Sequence, residues 1–190
     1  LDAVEEMFPA ALRYLGLDPD SKNEADLNKA GELLRKIRPH IQKFHSSEYI
    51  NALANGDICL AVGYSGDILQ AKKRAEEAKN GVQIAYSIPK EGALMWFDSF
   101  VIPKDAGNVE AAMKFIDFVN KPEMAAKNSD FIQYANGNLA SKPMLSAAVR
   151  DNPGIYPSDE VMGRLYTITP YDQKSQRLVN RLWTRVKTGK

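Results

Sequence analysis

The sequence predicts an α/β fold, and three observations carry that expectation. Short apolar runs bounded by turn residues, Ile58 to Tyr64 and Val82 to Tyr86, read as strands. They alternate with amphipathic stretches at helical spacing, the order that a helix-covered sheet requires. The chain of 190 residues, 44% hydrophobic and 26% charged, has enough apolar material for a core and too balanced a composition for general disorder.

Residues 1 to 15 place Val4, Phe8, Ala11, Leu12 and Leu15 on one helical face, with Gly16 at the position of a C-terminal cap. Pro9 falls inside that pattern and predicts a kink or a split. A loop over 17–23 leads to a second helix, Glu24 to Ile37, which Pro39 stops. His40 to Phe44 suggests a short strand, and Ser46 and Ser47 suggest caps for a helix ending at Asn55-Gly56. The run Ile58 to Tyr64 reads as a strand buried on both faces, with Cys59 as a small buried hydrophobe. After Gly66-Asp67 comes a helix through Lys79, then the alternating strand Val82 to Tyr86. A further strand, Ala93 to Ile102, is rich in aromatics. Asn108 caps a strongly periodic helix through Val119, and a shorter one follows Pro122. The final third reads as mostly helical: Met144 to Val149, Ser158 to Leu165 and Asp172 to Lys187.

Composition narrows the function classes. A formal net charge of +1 supplies no global field for nucleic acid or an anionic membrane. No apolar run of about 18 residues is available to insert in a bilayer. One cysteine excludes an internal disulfide framework. No nucleophile elbow, phosphate-binding loop or paired-histidine metal motif is present, and His40 and His45 suit neither a helix-face nor a strand-face metal pair. Accordingly no metal and no cofactor is expected. The opening, Leu1 to Phe8, reads as the first turn of a helix with neither an initiator Met nor a leader, as in a piece of a longer chain.

Acidic and aromatic residues coincide at two places. Tyr64-Ser65-Gly66-Asp67 follows a predicted strand at the end where open α/β sheets bind ligands. Trp96 and Asp98 share one face of a second extended segment. A carboxylate beside aromatic rings suits an organic cation: charge neutralises the ammonium while ring faces attract it and cover its methylenes. The same residues also fit a plainer reading, with Asp67 as a helix cap and Trp96 as core.

At these positions the sequence resembles the periplasmic polyamine-binding proteins, the putrescine and spermidine receptors of ABC importers. The matching stretches include Phe44 to Asn51, Ala54-Asn55-Gly56-Asp57-Ile58-Cys59, Val62-Gly63-Tyr64-Ser65-Gly66-Asp67 and Ser87 to Ala93. Asn152-Pro153-Gly154-Ile155-Tyr156-Pro157 and the end from Trp183 to Lys190 match as well. The resemblance implies a type II periplasmic binding protein fold of two α/β lobes, of which this chain is the C-terminal portion. It assigns 1–95 and 142–190 to the second lobe and 96–141 to a crossover segment of the first, whose remainder is absent from the chain. It implies that Asp67 and Asp98 hold ligand ammonium groups, with Glu5 as a third carboxylate. Tyr64, Trp96 and Tyr134 would form the aromatic wall. It further implies a periplasmic, non-enzymatic receptor whose partners are a polyamine, the permease and the missing N-terminal lobe, whether or not that lobe is a separate chain. Two other classes stay open: a hydrolase using Asp67 with Asp98 or Glu5 as an acid/base pair, and a half-protein with only an assembly role.

Overall fold

A computed structural model describes residues 1–189. Its nine α-helices among those residues begin with α1 (Val4–Tyr14), which runs unbroken through the buried Pro9. The chain then leaves α1 through Gly16 at φ +71°, where the Leu17 N–H reaches back to the Leu12 carbonyl at 3.0 Å. That left-handed turn is one only glycine adopts without strain. Next comes α2 (Glu24–Ile37), whose first turn is capped by the Asn23 side chain accepting from Ala25 and Asp26 N–H. A single 3₁₀ turn, Arg38–His40, stands where the start of a strand was expected. Far along the chain, α9 (Gln173–Thr188) is capped by Asp172.

The apolar stripes of α1, α2 and α9 close on one another around Phe8, Leu12, Leu27, Val179 and Val186. Buried Gly31 of α2 faces Leu182 of α9. The N-terminal residues before α1 are tied to the same core. The Trp183 indole N–H donates to Asp2 at 2.9 Å, and Lys187 bonds the same carboxylate at 3.1 Å.

A second core joins α3 (Glu48–Asn55) and α4 (Ser65–Ala78) through Tyr49, Leu53, Ile68 and Ala71. Ser47 is the residue before α3, but its hydroxyl caps nothing; the His45 Nδ1 accepts from the Ser47 and Glu48 N–H groups at 3.2 and 3.1 Å. Ser46 instead exchanges hydrogen bonds with the backbone of Asp2. A third core sets Leu69 of α4 against Ala126 of α6 (Pro122–Ile132), Leu145 and Val149, the last within the short α7 (Ala147–Arg150). Between α4 and α6 lies α5 (Val109–Val119), capped by Asn108 as expected, with no buried residue. A 3₁₀ stretch, Leu139–Met144, leads into α7, and the short α7 and one-turn α8 (Asp159–Met162) stand where longer helices were expected over 144–149 and 158–165.

The expected strands are where the structure departs furthest from the sequence. No ladder forms among the described residues; the one pairing is a parallel bridge between Leu94 and Tyr166, with the Met95 N–H on the Tyr166 carbonyl at 2.8 Å. From Val82 to Ile88 the side chains nonetheless alternate between half-buried and exposed, the period of a strand. Ile58 to Tyr64 is not buried on both faces: Leu60 is 89% exposed, and Cys59 is exposed too. A central strand owes its burial to neighbouring chain on either side, which local sequence cannot report.

Candidate functional site

The site is built at the start of α4, and two glycines make it possible. A Cβ on Gly63 would fall 2.6 Å from the Tyr49 ring, and one on Gly66 would fall 2.2 Å from the Tyr134 ring. Without side chains at these positions, both tyrosines pack close against the turn and reach Asp67. The Tyr49 hydroxyl donates to Asp67 Oδ2 at 2.6 Å, and the Tyr134 hydroxyl donates to Oδ1 at 3.1 Å. Tyr49 also accepts the Tyr64 backbone N–H at 3.2 Å, so the phenol couples the turn to the carboxylate. The plainer reading of Asp67 as a helix cap therefore gives way: each of its oxygens accepts from a phenol instead.

A carboxylate has about four acceptor positions. Two phenols occupy two of them and orient the group, leaving acceptor capacity for a donor from outside. Burial pushes the Tyr49 and Tyr134 phenols well above the ordinary range, reinforced for each by the Asp67 carboxylate. Both therefore act as neutral donors across the physiological range.

Trp96 stands across from this turn. Its ring makes edge contacts with Tyr64 at 5.3 Å and Tyr134 at 6.1 Å between centroids, so three aromatic rings form one continuous wall. The exposed edge of the wall agrees with a ligand surface better than with core: Trp96 is 38% exposed. Beyond it, a crevice of about 310 Å³ runs between α1 and the Leu94–Trp96 segment, and Glu5 and Glu6 both line it. Glu5 is exposed, with Gln176 Nε2 3.4 Å from its Oε1. Its neighbour Glu6 accepts from the Tyr64 hydroxyl at 3.1 Å. Burial, then the nearby Glu6 charge and that hydrogen bond, push the Tyr64 phenol up to about 12.

Of the six residues singled out from sequence, the structure brings Tyr64, Asp67, Trp96 and Tyr134 into direct contact. Glu5 joins them at the crevice. Asp98 lies exposed two residues beyond Trp96. Tyr49 and Glu6 were missed. The available signal was chemical: a tyrosine on the apolar face of α3 must find a partner for its hydroxyl when buried.

Comparison with known proteins adds a second line of observation. The family model described as bacterial extracellular solute-binding protein matches residues 2–157. The putrescine-binding periplasmic protein SpuD of Pseudomonas aeruginosa is 55% identical over 190 residues, which is 100% of this chain and 52% of that protein. The putrescine-binding periplasmic protein PotF of Escherichia coli is 51% identical over 191 residues, with the same two coverages. Among solved structures, the spermidine/putrescine ABC transporter substrate-binding protein PotD from Streptococcus pneumoniae superposes with a TM-score of 0.79 at 28% identity, covering 99% of this chain and 56% of that one. The chain spans about half the length of the curated relatives it matches.

Proposed function

The chain belongs to the bacterial extracellular solute-binding proteins, and from that premise we propose that it is the second-lobe portion of a periplasmic receptor binding putrescine or spermidine for an ABC importer. Its fold is the α/β, type II periplasmic binding protein fold that its structural relatives share. The observation that carries the ligand class is Asp67: an anchored carboxylate with unused acceptor positions, flanked by the Tyr64, Trp96 and Tyr134 rings. An alkyl ammonium needs a countercharge to replace its water and a π surface for its methylenes, and half-buried Asp67 with the three rings offers both. Selectivity among amines follows from the separation of the carboxylates, since a diamine must satisfy both ends at once. We assign Asp98 and Glu5 to those further ends.

The reading is non-catalytic. Asp67 is arranged as an acceptor on both oxygens, and the tyrosines around it are held neutral by burial, so the site binds charge and has no poised nucleophile. The hydrolase alternative has no observation in its favour.

We assign residues 1–95 and 142–190 to the second lobe and 96–141 to a crossover whose partner is the other half of the receptor. Exposed apolar side chains support this: Phe97 is 74% exposed and Val101 82%, and α5 turns Val109, Met113, Phe115 and Phe118 to solvent. Inside the segment, α6 is different, since Ala126 shares a core with Leu69 of α4. The surface awaiting the other lobe thus centres on Phe97–Val101 and α5.

The test is calorimetry on this chain completed by the N-terminal half of its 55% identical relative. Putrescine or spermidine should bind, and Asp67→Asn should lower the affinity by about thirtyfold or more, the scale for removing one partner of a desolvated charge pair. No heat of binding for either amine would sink the reading.

A further inference from the structure

We infer, on the basis of the amine-receptor reading above, that Asn136 is a positioning residue of that site: a half-buried amide that fixes the loop from which Tyr134 reaches Asp67.

The loop begins where α6 ends. Gln133 closes the helix in the left-handed region at φ +62°, with its N–H on the Ser129 carbonyl at 2.9 Å. A residue with a Cβ holds that conformation where its surroundings impose it. Tyr134 follows, and two residues farther on the Asn136 Nδ2 donates to the Ser129 Oγ at 2.8 Å. Ser129, 2% exposed, thus grips the chain on both sides of Tyr134, by its carbonyl before and its hydroxyl after.

The rest of the Asn136 side chain is used as fully. Its Nδ2 also points to the Ala125 carbonyl at 3.4 Å. Its Oδ1 accepts the Asn138 N–H at 2.8 Å and lies 2.9 Å from the Oγ of completely buried Ser141, whose one proton is shared with the Asn138 carbonyl at 2.7 Å. The Asn136 backbone N–H donates to the Tyr156 hydroxyl at 3.4 Å, and Asn138 Nδ2 donates to the carbonyl of Asn120 just past α5. One amide therefore joins α6, the loop and the Leu139–Met144 stretch. A satisfied polar network of this kind specifies a single conformation.

The loop's own residues do not call for such order. Ala135 and Gly137 are exposed, and a Cβ on Gly137 would meet nothing within 4 Å. What needs placing is Tyr134. Its ring lies over Gly66 with no room for a methyl group, and its hydroxyl meets Asp67 Oδ1 at 3.1 Å, so a small shift of the loop disturbs both contacts. A carboxylate released by that phenol is less well oriented toward an ammonium.

The experiment uses the chain completed as above, with 1,4-diaminobutane as the probe in calorimetry. Asn136→Ala should weaken diamine binding by about fivefold or more. In a Tyr134→Phe background the same substitution should change affinity by less than about twofold, because Asn136 acts through that phenol. Ser141→Ala, a milder change that removes one donor from the hub, should act in the same direction and serves if Asn136→Ala does not fold. Asn23→Ala, which strips the cap of α2, is the control: it should lower the melting temperature and leave affinity within about twofold of the parent. A readout without ligand is the ring ¹³Cζ resonance of Tyr134, which should move in Asn136→Ala and Ser141→Ala; an unmoved signal overturns the inference. Affinity within about twofold of the parent in both hub variants, while Asp67→Asn loses binding, also overturns it and leaves the receptor reading standing. An equal loss in the Tyr134→Phe background overturns it too, since the hub would then act only on the fold at large. Parent protein that binds no diamine removes the receptor reading itself, and the inference with it.

Discussion

At Asp67 two phenols do what a backbone amide does at most helix starts: they satisfy a carboxylate and hold it still. Hydrogen bonds to a charged acceptor contribute about 1.5–3 kcal/mol. Tyr49→Phe removes one of these and also strands the Tyr64 backbone N–H that Tyr49 accepts. It should destabilise the fold by about 2 kcal/mol in urea titration and loosen the turn that presents Tyr64. Tyr134→Phe removes only the longer bond and should cost less. The phenols also set an alkaline limit. An unfolded tyrosine loses its proton near 10.0, whereas folded Tyr64 holds it to about 12. Above pH 10 the unfolded chain therefore binds fewer protons than the folded one, and stability falls as pH rises. The stabilisation is fully present below about pH 10 and is lost on the way to about 12; Tyr64→Phe should make that decline shallower, read by circular dichroism against pH. Of the residues brought together here, Tyr64, Asp67 and Trp96 were legible from chain position, and Tyr134 came only through the family resemblance. Tyr49 and Glu6 were not, because their partners, Asp67 and Tyr64, lie 18 and 58 residues away.

Elements behave differently from residues. The helices whose ends carry local chemistry matched expectation closely: α2 starts after Asn23, α5 after Asn108 and α9 after Asp172, each with the side chain accepting from the first turn. Glycine had the same legibility at Gly16 and Gly56, both in the left-handed region. Capping of α3 was misread because His45 Nδ1 fills the place of a serine hydroxyl, a role with weak statistics and ordinary geometry. The Gly63–Gly66 turn is the element on which the site depends. Gly66→Ala puts a methyl into the Tyr134 ring, so Tyr134 must leave Asp67. The expected result is a loss of about 1–3 kcal/mol together with weaker amine binding, measured by thermal unfolding and calorimetry on one preparation. A parallel prediction concerns the junction of Asp2 with α9. Partial burial opposes ionisation there, but hydrogen bonds from Trp183 and Lys187 hold the Asp2 carboxyl below its usual 3.8. Its stabilisation is present above that value and lost as pH falls through the lowered one. Asp2→Asn should flatten the acid limb of the stability profile.

Across the whole molecule, apolar surface is distributed unevenly. Three cores close around α1, α2 and α9, around α3 and α4, and around Leu69 with α6 and Val149. Phe97, Phe100, Val101 and the apolar face of α5 remain in solvent. Contiguous exposed apolar surface of this kind marks an interface. In isolation the chain should bind a hydrophobic dye such as anilinonaphthalene sulfonate and associate as concentration rises; joined to the N-terminal half of its relative it should do neither. Equal dye binding by both forms would contradict the proposed crossover. The unpaired strand segments belong to this scale as well. Val82 to Ile88 keeps a strand's alternation without a ladder, and Leu60 is exposed in a run that reads as buried.

The amino-acid sequence by itself determined the helices with capped ends, the placement of turns at glycines, and the nearness along the chain of acidic to aromatic residues at Tyr64–Asp67 and Trp96–Asp98. These depend on interactions a few residues apart, which local chemistry settles. Tertiary structure alone decided which phenols hold Asp67, that Glu6 rather than Glu5 turns inward against Tyr64, and that Cys59 and Leu60 face solvent. Those outcomes depend on segments far apart in the chain arriving side by side, and burial is a property of what arrives.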